Sequence, residues 1–268
     1  PDFLASAAEG AAGLPEAWKN AWKAAVAVES PFYGLVSTLR DSTPGSFQAV
    51  WRQNATCFRQ ERQSREEFNA KHFVPFGELS QGGFGAWHAE GQGLRAPTLS
   101  EGDFTLSPDP SRGLAALHEK GAYTGTLSTR LNGALRSPYL PKDRKFVSIR
   151  AAGGYLGSHR LIKDNCTIGE DYKLLSTTAP AWHRTSTSDE DRKLPLYIEL
   201  VTRHDNPRLP DRPDKEKSIA KELLSSDRSW FGLVDAVVHD VDESPREDLS
   251  YIAPFWEGPE PASFEEAG

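Results

Sequence analysis

The sequence predicts a mainly β protein: an antiparallel β-sandwich, jelly-roll-like, preceded by an N-terminal helical segment. Three observations lead there. From residue 72 onward, apolar residues alternate with polar ones in runs of a strand's length. Those runs are punctuated by Gly, Pro, Asn and Asp, the pattern of short strands and tight turns in a sandwich. Before residue 72 the apolar residues instead recur at spacings of three and four, the period of a helix face.

The chain divides accordingly into a helical segment (1–71), a sandwich (72–240) and an acidic, Pro-rich tail or linker (241–268). Residues 1–13 are Ala/Gly-rich and read as a fraying end. Pro15 suits a first helical position, and Trp18, Trp22, Ala25 and Val26 follow as one apolar face. Ser30-Pro31 stops that helix, because a residue before proline avoids the α region. Ser46 is the expected N-cap of a second helix. Its stripe is Phe47, Val50, Trp51 and Phe58, and Arg59–Glu67 form its solvated end. Strands are expected near 72–76, 83–89, 103–107, 122–128, 134–139, 145–152, 159–163, 182–187, 194–203 and 231–239. Leu196, Ile198 and Leu200 alternate cleanly against Tyr197, Glu199 and Val201, whereas Phe146, Ile149 and Ala151 alternate only loosely. His204–Ser229 reads as a long polar loop with a short helix at Ser218–Leu224.

Composition removes several function classes. The net charge is -7, and no dense Lys/Arg stripe is present, so nucleic acid is not an expected partner. No apolar run approaches the roughly 18 residues of a membrane span, and the first residues are not those of an export signal. The chain contains no Met, even at position 1, and is therefore read as a fragment or a processed form. Two cysteines, Cys57 and Cys166, form neither a C-x-x-C zinc pattern nor the C-x-x-C-H of a covalently attached haem. A disulfide between them and two separate thiols both remain open.

A pyranose has an apolar face and a polar edge, so a sugar site needs an aromatic platform beside planar hydrogen-bonding side chains. Tyr123, Tyr155, Arg160, Trp182 and Arg203 are the residues expected to supply one; Trp230 reads rather as packing. The bland reading is that aromatics on strands are core. No cofactor is expected beyond a structural calcium ion, for which Asp164, Asn165, Asp205 and Asp235 are the oxygen donors in sandwich loops. Turn formation by these Asx residues is the simpler reading. His159, His183, His204 and His239 show no ligand spacing. Glu199 and Asp205 could form a glycosidase carboxylate pair, but sequence separation does not fix their distance. Ser/His/Asp catalysis lacks a G-x-S-x-G, and Gly153-Gly154 reads as a close backbone approach or bulge rather than a phosphate cradle.

Several motifs occur in a familiar order: Trp87-His88-Ala89-Glu90-Gly91-Gln92-Gly93, Gly102-Asp103-Phe104, Gly121-Ala122-Tyr123, Leu127-Ser128 and Gly133–Pro138. Arg150-Ala151-Ala152-Gly153-Gly154, Asp164-Asn165, Trp230-Phe231-Gly232 and Val238-His239-Asp240 continue it. With these, Trp87–Asp240 resembles the β-sandwich segment of planctomycete-type multidomain envelope proteins, which join a cytochrome-c-like region to paired domains of unknown function. More distantly, Gly133–Pro138, Arg150–Gly154 and Trp230–Asp235 are similar to jelly-roll accessory modules of fructan-degrading glycosidases, whose neighbouring domain carries the catalysis. The resemblance implies an extracytoplasmic or cell-envelope location, flanking domains of the same parent protein as partners, and a carbohydrate-associated role. The expected function is thus a non-catalytic accessory module that binds polysaccharide. A purely structural spacer between flanking domains is the alternative, and an unrecognised hydrolase the third.

Overall fold

The computed structural model of the chain describes residues 30–80, 82–96, 98–107, 109, 113–166, 172–206 and 221–262, with a few single positions beside them. The helix expected around Trp18 and Trp22 lies outside the described residues, as do residues 207–220 of the polar loop. The chain forms two units, Pro1–Lys71 with Arg246–Gly268, and His72–Pro245.

The helices are α1 (Tyr33–Asp41), α2 (Phe47–His72), α3 (Lys221–Ser225) and α4 (Ala253–Glu257). Ser46 stands directly before α2, at the position expected of its N-cap, in a turn that closes on Thr43. The Phe47 N–H donates to the Thr43 carbonyl at 2.9 Å, and the Thr43 N–H donates back to Ser46 Oγ at 2.9 Å. Thr43-Pro44-Gly45-Ser46 is therefore a turn that leads into α2, with the Ser46 N–H also donating to the Thr43 carbonyl at 2.9 Å. The helix buries Phe47, Trp51 and Ala55, spaced by four, and leaves the rest of its length charged. Leu249, Ile252 and Trp256, from the stretch read as an acidic tail, complete that cluster, with the Trp51 and Trp256 rings 4.9 Å apart. Their spacing of three and four is the helical signal inside an otherwise acidic, Pro-rich run. Among the described residues no helix is long and apolar enough to cross a membrane.

The second unit is the predicted antiparallel sandwich. Its first sheet runs β1 (Phe73–Pro75), β12 (Trp230–His239), β7 (Phe146–Gly154) and β10 (Ala181–Ser186), with β5 (Ala122–Tyr123) also pairing with β12. Its second sheet runs β2 (His88–Glu90), β6 (Ala134–Arg136), β11 (Leu196–Val201), β8 (Ser158–Lys163) and β9 (Tyr172–Leu174). A separate ribbon pairs β3 (Phe104–Leu106) with β4 (Leu114–Leu117). Leu196, Ile198 and Leu200 point into the core, as their alternation predicts, and meet Val147, Ile149, Ala151, Phe231 and Leu233 of the first sheet. The inward set of β7 starts at Val147 rather than Phe146, which explains why alternation counted from Phe146 is loose. Residues 83–87 are not a strand; Trp87 instead plugs the core, its indole N–H bonded to the Gly77 carbonyl. Strands β4 and β9 escape the sequence pattern, the first because Leu-Ala-Ala-Leu does not alternate, the second because it is so short.

Two tight turns flank β8. After β7, Tyr155 and Leu156 both adopt positive φ (51° and 69°), and the Gly157 N–H closes on the Gly154 carbonyl at 3.1 Å. After β8, Asp164 and Asn165 do the same at 51° and 54°. Both carry the pair of positive φ angles of a type I′ turn; the first passes the chain from one sheet to the other, and the second closes the antiparallel Lys163–Cys166 bridge beside β8.

Candidate functional site

Because Val147, Ile149 and Ala151 face the core, Ser148, Arg150, Ala152 and Gly154 line the outer face of the first sheet. The register places Trp182 on β10 and Asp235 on β12 directly opposite Arg150 from its two sides. The Arg150 guanidinium grips both oxygens of Glu119, at 2.6 and 2.9 Å, and the two side chains remain 33% and 35% exposed. Trp182 beside it is half-buried. Such a two-point clamp holds the guanidinium flat and cancels its charge locally.

Further along the same face, glycines let aromatic rings approach the sheet closely. A Cβ at Gly232 would stand 2.3 Å from the Tyr123 ring, and one at Gly154 would stand 2.8 Å from the Trp230 indole nitrogen. Tyr123 is consequently buried, with the His118 ring 4.8 Å from its own. Burial foremost, then Glu119, pushes its hydroxyl up to about 12. Trp230 is half-buried, and Tyr155 stands 37% exposed at the turn beyond Gly154, with the Arg228 guanidinium 5.8 Å from its ring centre.

Of the residues expected at a sugar site, Tyr123, Trp182 and Tyr155 thus belong to one face or its end. Arg160 belongs to the other sheet, where it faces Glu199. Arg203 is occupied elsewhere: its guanidinium donates to the carbonyls of Leu223 (3.0 Å), Leu224 (2.9 Å) and Ser226, closing the C-terminal end of α3. Arg150, Glu119 and Asp235 are not expected from sequence as partners of Trp182. The signal that could have found them is the alternation of β7 counted from Val147, which sets Arg150 outward.

The proposed oxygen donors are scattered. Asp164 and Asn165 make the exposed turn after β8, where positive φ suits Asx residues. Asp205 Oδ1 accepts from Asn132 Nδ2 at 3.1 Å, and Asp235 Oδ1 accepts the Ala236 N–H at 2.7 Å at a bulge in β12. Among the described residues, no group of three or more His, Cys, Asp or Glu side chains is placed to hold a metal ion. The histidines meet only in part. His159 and His183 lie ring to ring at 5.3 Å, His239 shares a 2.8 Å hydrogen bond with Ser148 Oγ, and His204 contacts the Asp227 carbonyl. Cys57 and Cys166 are exposed free thiols. Glu199 is clamped between Arg136 and Arg160 rather than facing Asp205 across a cleft.

No known family model matches the chain, and no curated protein sequence matches it. Solved structures similar to it include the TmCBM61 module in complex with β-1,4-galactotriose, at 11% identity and a TM-score of 0.31, covering 63% of this chain and 99% of that one. The M60 catalytic domain with the CBM51-1 and CBM51-2 domains of Clostridium perfringens ZmpB matches at 8% identity and a TM-score of 0.31, over 63% of this chain and 15% of that one. The K3 cleaved adhesin domain of Lys-gingipain from Porphyromonas gingivalis matches at 10% identity and a TM-score of 0.31, over 63% and 99%. At such TM-scores these likenesses carry no argument about ligand or activity.

Proposed function

We propose that the chain is a non-catalytic carbohydrate-binding module that docks a neutral polysaccharide on the outer face of its first sheet. The observation that carries this reading is the cross-strand pair of Trp182 and Arg150, with Arg150 held flat by Glu119 and all three within reach of solvent. The indole offers a face to the C–H side of a pyranose, and the guanidinium–carboxylate pair offers donors and acceptors to its hydroxyl edge. Their mutual neutralisation favours an uncharged sugar. The resemblance of Trp87–Asp240 to segments of envelope proteins supports an extracytoplasmic setting beside flanking domains.

A single platform stacks one or two rings, each contributing about 0.5–1.5 kcal/mol beyond burial. Binding should therefore be weak, with a dissociation constant on the order of millimolar or above. Affinity electrophoresis of the full chain through gels containing β-galactan, xylan or β-glucan tests this. Retardation by at least one of them is the expected result. Migration unchanged in every neutral gel would overturn the reading and leave the spacer alternative.

A further inference from the structure

The two sheets meet along a pair of edges. β10 is an edge strand of the first sheet, paired with β7, and β9 is an edge strand of the second, paired with β8. A hydrogen bond ties these edges together: Lys173 Nζ of β9 donates to the Arg184 carbonyl of β10 at 3.3 Å. Behind it lies a cluster of bases. His159 stands opposite Leu200 and His183 opposite Ile149, both core residues, so the two imidazoles turn inward between the sheets. Their rings are 5.3 Å apart. His159 is buried with neither nitrogen hydrogen-bonded, and the half-buried His183 reaches the Ala151 carbonyl at 3.2 Å.

The charges around this cluster are of one sign. From β9 the Lys173 ammonium bears on both rings, β7 offers the Ala151 carbonyl, and β11 presents apolar Leu200. The Arg184 guanidinium is engaged by Asp242 and lies over the Phe146 ring. Among the described residues no carboxylate acts on either imidazole. Burial foremost keeps both rings neutral. A proton placed on either one meets a second base and an ammonium, and water can solvate that charge only after the edge opens. β10 is the strand placed to yield, since it has one partner strand and is half-buried or exposed along its whole length.

We infer that this seam is an acid-operated latch: protonation of His159 and His183 frees β10 from β9, and with it Trp182, the neighbour of His183 on that strand. Opening of the strand is a property of the seam alone. Release of a bound glycan rests in addition on the reading of Trp182 as its platform. Once open, both imidazoles titrate near 6.5, so the open form gains as the pH falls below that value. For His159, held down to about 3 while the seam is closed, the gain by pH 5 is about 30-fold.

Amide hydrogen exchange of the full chain at pH 7.5 and pH 5, corrected for the intrinsic rate, reads this opening. The amides of β10 should be less protected than those of β11 and should open about 30-fold more often at pH 5. In His159→Leu/His183→Gln that increase should disappear. His183→Gln alone, at a half-buried position, should show a smaller increase than wild type. Equal opening of β10 at both pH values, one common opening constant for β10 and β11, or an increase that the double variant keeps in full would overturn the latch. Whichever neutral polysaccharide retards the chain should, when added in excess, suppress β10 opening at pH 5, because it binds only the closed strand. Acid opening of β10 that the polysaccharide leaves unchanged would place the glycan away from Trp182, overturning that reading and leaving the latch in place.

Discussion

His159 points from β8 into the sandwich core at 1% exposure, with both ring nitrogens unpartnered and the ring of His183 5.3 Å away. Burial, with His183 and Lys173 nearby, drives its pKa down to about 3. Unfolded, the same side chain titrates near 6.5, so between those values the unfolded chain binds the extra proton. Stability is then full above about pH 6.5 and is lost as the pH falls towards 3, at up to about 1.4 kcal/mol per pH unit. Urea unfolding at pH 7.5 and pH 5 should show wild type losing about 2 kcal/mol more than His159→Leu. Identical pH dependence for the two proteins would contradict the buried, uncharged histidine. Residue type alone does not distinguish His159 from His204, which lies exposed against a loop carbonyl. The difference is one of strand parity, and parity is legible: Leu161 two positions on is also inward.

Among the strands, β11 is readable because Leu-Tyr-Ile-Glu-Leu-Val alternates without exception, and the pattern alone sets Tyr197 and Glu199 outward. Its neighbour in the other layer, β7, is readable as a strand but not as a face, since starting from Phe146 puts Arg150 and Val147 on the wrong sides. The Asp164-Asn165 turn announces itself by residue type. The Tyr155-Leu156 turn does not, since two bulky side chains are poor candidates for the left-handed region. Burial of Leu156 at 3% exposure, and the tight packing of Gly153, Gly154 and Gly157 against Leu175 and Trp230, hold it there. Tyr155→Asn should therefore relieve strain and raise stability by about 0.5–1 kcal/mol. Thermal unfolding checks this; a loss exceeding about 1 kcal/mol would mean that contact with Arg228 outweighs the backbone strain.

The switch of period at residue 72 locates the sandwich within the chain, and the two-sheet core follows from it. Of the candidate site residues, the structure brings Trp182, Tyr155 and Tyr123 to one face or its end, whereas Arg203 goes to a helix end and Arg160 to the opposite sheet. Those two arginines escape a sequence reading because a guanidinium's partners lie far away along the chain, and composition cannot reveal them. With its own contiguous core, the stretch 72–245 produced alone should unfold in one cooperative transition. A broad, non-cooperative melt would show that its core is incomplete without residues outside it. The proposed glycan binding through the outer face of the first sheet rests above all on Trp182. On whichever neutral polysaccharide gel retards the wild type, Trp182→Ala should migrate as an unretained protein while its thermal midpoint stays within about 2–4 °C, a change of roughly 1 kcal/mol for a chain of this size. Undiminished retention of Trp182→Ala, or collapse of its fold as expected for a core tryptophan, would contradict binding through this face.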